Sequence, residues 1–326
     1  MNILVTGATG AIGPSVLNAL LEAGHRVRAL SLEAPETGLF PHGVEAIVGD
    51  ITDQGAVQTA MQGMEAVVHM AALLHIVNPP PAMHAAYERI NVGGTQTVVD
   101  AAVRAVLRRI VFFSTIAVYG PSGGCVLDEM SEPHPDTPYA RTKLSAERIV
   151  LNAKARDGRP LGTVLRLGAV YGPRIKGNYA RLLHALQRRR FLSVGRGINR
   201  RSLVYVKDVG RAAATVVAHP GAAGRIYNVT DGAYHTLNEI IASMCSALGR
   251  RPPLFSLPIV PTRMAIDLME ALSRAFGFKE PGLREMIDKY TEDIAVDGIL
   301  IRQELGFVPR YDLQAGWKET ILEMRT

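Results

Sequence analysis

The sequence predicts an α/β fold: a doubly wound, mostly parallel sheet followed by a smaller C-terminal lobe. Three observations carry this. In the N-terminal half, short β-branched runs alternate with helical stretches, the pattern of strand–helix–strand units. The run Ile-Val-Phe-Phe-Ser at 110–114 is apolar on both faces, as a strand must be when helices cover both sides of its sheet. A glycine-rich turn directly follows the first apolar run and precedes the first helical one. The length, 326 residues, suits one large α/β domain plus a lobe.

Each element follows from its local pattern. Residues 2–6 read as the first strand. Residues 14–23 read as a helix ending at Gly24, a residue suited to a left-handed cap. Further strands are expected at 27–32, 44–48, 66–70 and 110–114, with helices near 54–62 and 87–106. A long helix runs from about 140 to 156, and a sixth strand covers 163–167. Beyond the Gly172-Pro173 loop the regularity fades. Residues 202–206 and 226–229 look like strands, and 250–261 is a proline-rich connection. Residues 264–276 form an amphipathic helix with Ala265, Leu268, Leu272 and Phe276 on one stripe, expected to pack over a substrate cleft.

Composition narrows the class. Hydrophobic residues make up 48% and charged residues 20%, enough for a large core and too apolar for wholesale disorder. There is no apolar run of roughly 18 residues, so no membrane span is expected. Asp267 and Glu270 among the apolar positions of 264–276 argue against a membrane-surface helix. The start, Met-Asn-Ile-Leu-Val-Thr-Gly, reads as a strand and not as a signal peptide. Cys125 and Cys245 do not make a disulfide framework, and a reducing cytoplasm is the expectation. The nine histidines show no metal-type spacing, so no metal is expected. A net charge of +6 raises nucleic acid as a partner. The densest basic stretch, 188–201, has only Phe191 as an aromatic and no accompanying motif, so an anionic small substrate fits it better.

The glycine turn is Thr6-Gly7-Ala8-Thr9-Gly10-Ala11-Ile12-Gly13. Glycines at this spacing allow a tight turn and a close backbone approach to a pyrophosphate, while the following helix offers unpaired N–H groups and a positive dipole end. Gly7, Thr9, Gly10, Ala11, Ile12 and Gly13 are therefore expected to hold a dinucleotide, making 1–172 a Rossmann-type domain. Parts of 202–230 are expected to complete its sheet, with 173–326 mainly a substrate-binding lobe. At the end of the second strand, an acid would bind the ribose hydroxyls; Ser31 stands there, with Glu33 two residues on and Arg28 within the strand. These residues do not decide between NAD and NADP.

Tyr139 and Lys143 are four apart at the start of a predicted helix, hence on one face. A phenol with a pKa near 10 is too weak a base at neutral pH, but an adjacent ammonium and a cationic nicotinamide favour its phenolate. Tyr139 is then a general acid/base for a substrate hydroxyl or carbonyl.

With these motifs in place, the chain resembles the extended short-chain dehydrogenases/reductases, the NAD-dependent epimerase/dehydratase family. Further blocks carry the likeness: Ser114-Thr115-Ile116-Ala117-Val118-Tyr119-Gly120, Leu165 to Pro173, Arg201 to Val209, and Tyr227-Asn228-Val229 followed by Thr236 to Glu239. The resemblance implies adenine contacts at Asp50 and Ile51. It also implies cofactor contacts at Met70, Ala71, Ala72, Asn91 and Ser114, a ribose contact from Lys143, and a preference for NAD. It makes Thr115 the partner of the reacting oxygen, with Ser114 as the fallback. A homodimer is also implied.

The residues after Thr115 narrow the reaction. Sugar 4,6-dehydratases carry an acid pair there, and decarboxylases a glutamate; this chain has Ile116-Ala117, neither able to move a proton. The cysteine of keto-sugar epimerase–reductases is absent, since Cys125 comes too late. What remains resembles a nucleotide-sugar 4-epimerase of the UDP-linked type, and the resemblance implies Asn178 and Arg201 as sugar-nucleotide contacts. An arginine's planar fork suits a diphosphate. The alternatives are a reductase or dehydrogenase of an apolar or steroid-like substrate, and a non-catalytic dinucleotide sensor.

Overall fold

The computed structural model describes residues 1–74, 76, 79–80, 82–253, 256–275 and 292–325. Its centre is a seven-stranded parallel sheet. The first strands are β1 (Asn2–Thr6), β2 (Arg26–Ser31), β3 (Glu45–Val48), β4 (Ala66–His69) and β5 (Arg109–Thr115). After the short β6 (Val126–Leu127), β7 (Gly162–Leu167) continues the sheet. Next come β8 (Ala169–Tyr171), β9 (Ser193–Val194), β10 (Arg200–Arg201), β11 (Leu203–Tyr205) and β12 (Ile226–Val229), of which β12 closes the sheet edge. The order is β12-β7-β5-β4-β1-β2-β3. The winding direction reverses between β1 and β4, so the crevice outside their carboxyl ends is the place where such sheets bind ligands. In the ladder Thr6 lies opposite both Leu30 and His69, and His69 opposite Phe112. These residues mark one edge of the sheet.

Alternation along the strands builds two cores. Ile3, Val5, Val68, Val111 and Phe113 face helices α1 (Gly13–Glu22) and, further along the chain, residues 206–218. Leu4, Val67, Ile110 and Phe112 face α2 (Gln54–Met61) and residues 94–104 and 138–152. Successive residues of a strand point to opposite faces, so a run apolar throughout needs a helix layer on each side. Gly24 takes φ +79°, ending α1 as its sequence predicts.

Three expectations change. The helix predicted at 87–106 is α3 (Ala82–Tyr87), a π-helical turn Glu88–Gly93, and α4 (Gly94–Arg104). The wide turn lets Asn91 point inward to the loop after β4 while Gly94 packs against Ile51, where a Cβ would come within 2.6 Å of Ile51 Cδ1. The long helix α5 starts earlier than predicted and covers Pro138–Asn152. Thr137 caps it, accepting from the Ala140 N–H, and Pro138 occupies the first turn, where no N–H is needed. The strand expected at 202–206 is β11, which pairs with β8 outside the main sheet; only β12 of that region completes it.

A third core joins α6 (Asn178–Gln187), α7 (Val206–Ala218), α8 (Leu237–Ala247) and Leu313–Glu323 around Tyr171, Tyr205 and Trp317. The strand β13 (His235–Thr236) pairs with β10, β14 (Ser256–Leu257) with β9, and β15 (Ala295–Val296) with β6. Helix α9 covers Ile259–Ala275, starting before the predicted 264. Ala265 is exposed; the side chains of Leu268 and Leu272, and Phe276, lie outside the described residues. Among the described residues no helix is long and apolar enough to cross a membrane.

Candidate active site

The glycine turn rises from β1 at the crevice. Gly7 takes φ +75°, and a Cβ there would lie 2.7 Å from Ala71 Cα. Gly13 is held as closely: a Cβ would fall 1.8 Å from the Ala8 carbonyl oxygen. Neither position admits a side chain without moving backbone. Gly7 N donates to Leu30 O, Gly10 N to Gly7 O, and Gly13 N to Gly10 O. Ile12, at the N-cap of α1, supplies no side-chain acceptor; Gly13 N is taken by Gly10 O and Pro14 has no N–H. A cradle that excludes side chains at the N-terminal, positive end of a helix fits a dinucleotide diphosphate. Ala11 and Ile12 form its far wall, both half-buried.

Around the cradle the predicted residues fall as follows. Ser31 Oγ, at the end of β2, accepts from Thr9 N at 3.3 Å and ties turn to strand. Arg28 is engaged elsewhere: it pairs with Glu45 at 2.9 Å and donates to the Ala60 and Gln62 carbonyls. Asp50 accepts from Thr52 N, and Ile51 is buried beneath α4. Met70 N donates to Thr6 O, and Ala71 N to Thr6 Oγ1; Met70, Ala71 and Ala72 leave the sheet beside the cradle. Asn91 is buried, accepting from Leu73 N at 2.7 Å and donating to Leu73 O and Thr142 Oγ1.

A buried polar chain connects the cradle to α5. His69 Nε2 lies 3.0 Å from Thr95 Oγ1, and Nδ1 lies 2.7 Å from Thr6 Oγ1. Thr95 spends its proton on Asn91 O, so His69 carries its hydrogen on Nε2 and accepts at Nδ1. Burial, helped by the charge of Lys143, lowers His69 to about 3, and the ring stays neutral. The chain continues through Asn91 to Thr142, whose hydroxyl donates to Tyr139 O.

Tyr139 and Lys143 lie in the first two turns of α5. The Tyr139 ring meets Tyr87 edge-on at 6.4 Å, and Lys143 Nζ sits 4.0 Å from the centre of the Phe112 ring. Lys143 thus lies over the sheet where β4 and β5 end. The expectation of a phenol acidified by its lysine is not met by the protein alone. Burial and the nearby Tyr87 push Tyr139 up to about 12, while burial, opposed by Glu147, brings Lys143 down to about 7. Desolvation is the largest cause of both shifts, and a cation beside the phenol would oppose it.

Thr115 and Tyr139 line one cleft, together with Asn178, Tyr179, Arg201 and Glu292. Thr115 Oγ1 also accepts from Ala117 N, capping the turn Ile116–Tyr119. Ser114 turns to the other side of β5 and donates to Glu147 Oε1 at 2.5 Å, so the fallback hydroxyl does not face the cleft. Asn178 begins α6 and accepts from Arg181 at 2.6 Å. Arg201 is in the cleft but bridged to Glu292 at 3.2 Å.

Sequence reasoning missed Glu147, Arg166, Tyr87 and Glu292. Glu147 had a signal, a carboxylate four residues beyond Lys143 on the same helix face. Arg166, a charge inside the otherwise apolar β7, had one too. Glu292 had none, being brought in from a distant segment. Among the described residues, no group of three or more His, Cys, Asp or Glu side chains could hold a metal ion.

Comparison with known proteins fits this geometry. The chain is 28% identical over 324 residues to the UDP-glucose 4-epimerase of Vibrio cholerae, spanning 98% of this chain and 94% of that protein. It is 30% identical over 324 residues to the 4-hydroxy-2-methyl-3-oxo-4-farnesyl-3,4-dihydroquinoline-1-oxide ketoreductase of Stigmatella aurantiaca, spanning 97% and 94%. It matches the solved structure of MoeE5 in complex with UDP-glucuronic acid and NAD at a TM-score of 0.77 and 28% identity, covering 100% of this chain and 99% of that one. The NAD dependent epimerase/dehydratase family matches residues 3–230, which hold the whole sheet, the glycine turn, Tyr139 and Lys143. The chain belongs to that family, and is an NAD-dependent enzyme of it.

Proposed function

We propose that this enzyme is a nucleotide-sugar 4-epimerase, acting on a UDP-linked sugar through a transient 4-keto form. One observation carries the reading. Thr115 and Tyr139 share a cleft with Asn178 and Arg201, while Ile116 and Ala117 in the same cleft offer no group to move a second proton. A site so equipped can oxidise and reduce one carbon.

Bound NAD would supply the hydride acceptor and, once reduced, the hydride that returns to the 4-keto carbon. Tyr139, as phenolate, takes the proton from the sugar 4-hydroxyl, and Thr115 holds the reacting oxygen. Lys143 holds the ribose and stabilises the phenolate by its charge. Arg201 and Asn178 anchor the nucleotide end, leaving the 4-keto sugar free to present its other face. Tyr139 then returns the proton.

A second reading, reduction of an apolar carbonyl, is favoured by the Arg201–Glu292 bridge, which sets an acid where a diphosphate would lie. Purified protein is assayed with UDP-glucose and no added cofactor. Formation of UDP-galactose supports the epimerase. Inactivity with UDP-sugars, with consumption of free NADH against a ketone, replaces it by the reductase.

A further inference from the structure

The positive charge of the chain is concentrated. Residues 158–207 contain twelve Lys and Arg and no Asp or Glu, so the rest of the chain is net acidic. Several of these cations are paired: Arg166 with Glu147, Arg200 with Asp293, Arg201 with Glu292, Lys207 with Glu319 and Glu323. Arg188, Arg190 and Arg196 differ. They are exposed at and beyond the C-terminal end of α6 and form no ion pair among the described residues. Arg188 and Arg190 line a shallow groove along α6 with Lys176, Arg181 and His184.

Exposed apolar side chains adjoin this basic edge. Leu192 is 69% exposed, Val260 65% and Met264 67%. The fold brings them together. Leu192 directly precedes β9, whose Val194 pairs with Leu257 of β14, and α9 begins two residues after that strand. Gly195 lies against Ile259 in the first turn of that helix. Val260 and Met264 are four residues apart on α9 and so share a face. A single exposed leucine needs no explanation, but a cluster beside unpaired arginines does.

We propose that this edge, formed by the end of α6, the β9–β14 pair and the first turns of α9, docks the enzyme onto an anionic phospholipid surface. The arginines meet headgroup phosphates, and Leu192, Leu257, Val260 and Met264 enter the acyl boundary. Apolar burial and attraction to anionic lipid are the two terms that hold a peripheral protein on a bilayer. A nucleic acid would need stacking platforms, and the one aromatic of residues 188–201, Phe191, packs against the lobe core. The sequence-based expectation of no membrane partner rested on the lack of a long apolar run and on Asp267 and Glu270 in the helix at 264–276. The surface identified here lies mainly before them in the chain and includes the strand pair, which the sequence did not reveal. The proposal is independent of the reaction catalysed.

The test is co-sedimentation of the full chain with vesicles of phosphatidylglycerol and phosphatidylcholine, and with pure phosphatidylcholine, at 0.15 M and 0.5 M salt. Binding to the anionic vesicles that weakens at high salt is expected. Neutralising Arg188, Arg190 and Arg196 together to Gln lowers the affinity on the order of 100-fold, at about fivefold per arginine. The pair Leu192→Ser and Val260→Ser lowers it separately, and unchanged NAD binding shows that both variants fold. Absence of binding to anionic vesicles at 0.15 M salt overturns the proposal. So does binding that neither variant weakens, or binding to an RNA 20-mer with none to vesicles.

Discussion

Glu147 and Arg166 form a 2.7 Å ion pair whose side chains are only 1% and 3% exposed, directly beneath the candidate site. Glu147 also accepts from Ser114, next to Thr115, and lies one turn beyond Lys143 on α5. Arg166 places its guanidinium 4.7 Å from the centre of the Tyr119 ring, in the turn that follows Thr115. Burial alone would lower Arg166, but its hydrogen bonds and charge contact with Glu147 outweigh this and hold it above its ordinary value. One pair therefore joins β5, α5 and β7, the elements that carry Thr115, Tyr139 and Lys143.

Breaking that pair leaves a buried charge alone, so Glu147→Ala is expected to cost about 3–5 kcal/mol in a urea titration. Replacing both members, Glu147→Leu with Arg166→Met, recovers most of that stability, because the desolvation penalty goes with them. Activity should not recover. Glu147 is the group that raises the Lys143 pKa against burial, so without it the ammonium is lost at lower pH. The alkaline limb of the activity profile moves down, and Glu147→Asp partly restores it. A double variant with a wild-type pH profile would reduce the pair to a purely structural role.

Lys143 itself trades stability for function. Its pKa falls from 10.5 to about 7 on folding, so between these values the unfolded chain binds the extra proton. Stability then rises with pH across that window, and the cost of burying the ammonium is full below pH 7. Lys143→Met is expected to raise the urea midpoint at pH 6 and to change it little above pH 10.5. The same variant, like Tyr139→Phe, should lose about 10²- to 10⁴-fold in kcat. A midpoint that falls at pH 6 would show the amine to be stabilised by contacts that outweigh its burial.

The glycine turn and its place between β1 and α1 were legible because they are local: a strand, a turn and a helix in sequence order. The Tyr139–Lys143 pair was legible for the same reason. The π-turn was not, since nothing within 87–106 marks the inward pull of Leu73 on Asn91. Neither was the direction of the Tyr139 shift. A four-residue spacing can be read from the sequence, but the burial that raises Tyr139, and the Tyr87 ring beside it, come from packing. Arg28 shows the same limit: its strand position suggested a role near the ribose, and only the fold reveals that Glu45 and two carbonyls occupy it.

That engagement makes a prediction. Arg28→Ala should leave the ratio of NAD to NADP affinity within about twofold, while lowering stability by about 1–3 kcal/mol through the unsatisfied Ala60 and Gln62 carbonyls. Cofactor titrations followed by quenching of Trp317, the sole tryptophan, or by calorimetry give the ratio. A selective loss of NADP binding would place the guanidinium at the ribose after all.

Gly13→Ala tests the cradle without touching the catalytic groups. Its Cβ would meet the Ala8 carbonyl at 1.8 Å, so the turn must open. A loss of NAD affinity of at least 100-fold is expected, with a stability cost of about 1–3 kcal/mol from overpacking. Gly24→Ala, whose Cβ would meet nothing within 4 Å, is the control for left-handed strain alone. Equal NAD affinity in the two variants would remove the cradle from the cofactor site.

Glu292 separates the two readings of the reaction. Its carboxylate bridges Arg201 at 3.2 Å inside the cleft, both side chains being about one-seventh exposed. If the cleft takes a diphosphate, Glu292 competes with it for the guanidinium and repels it. Glu292→Gln should then bind UDP about tenfold more tightly, the gain shrinking at high salt as screening grows. If the cleft takes an apolar carbonyl, the same change removes the carboxylate that balances the half-buried guanidinium, with no anionic substrate to replace it. The expected result is then weaker substrate binding, lower stability and no gain for UDP. Calorimetric titration of UDP into both proteins, at two salt concentrations, distinguishes the cases.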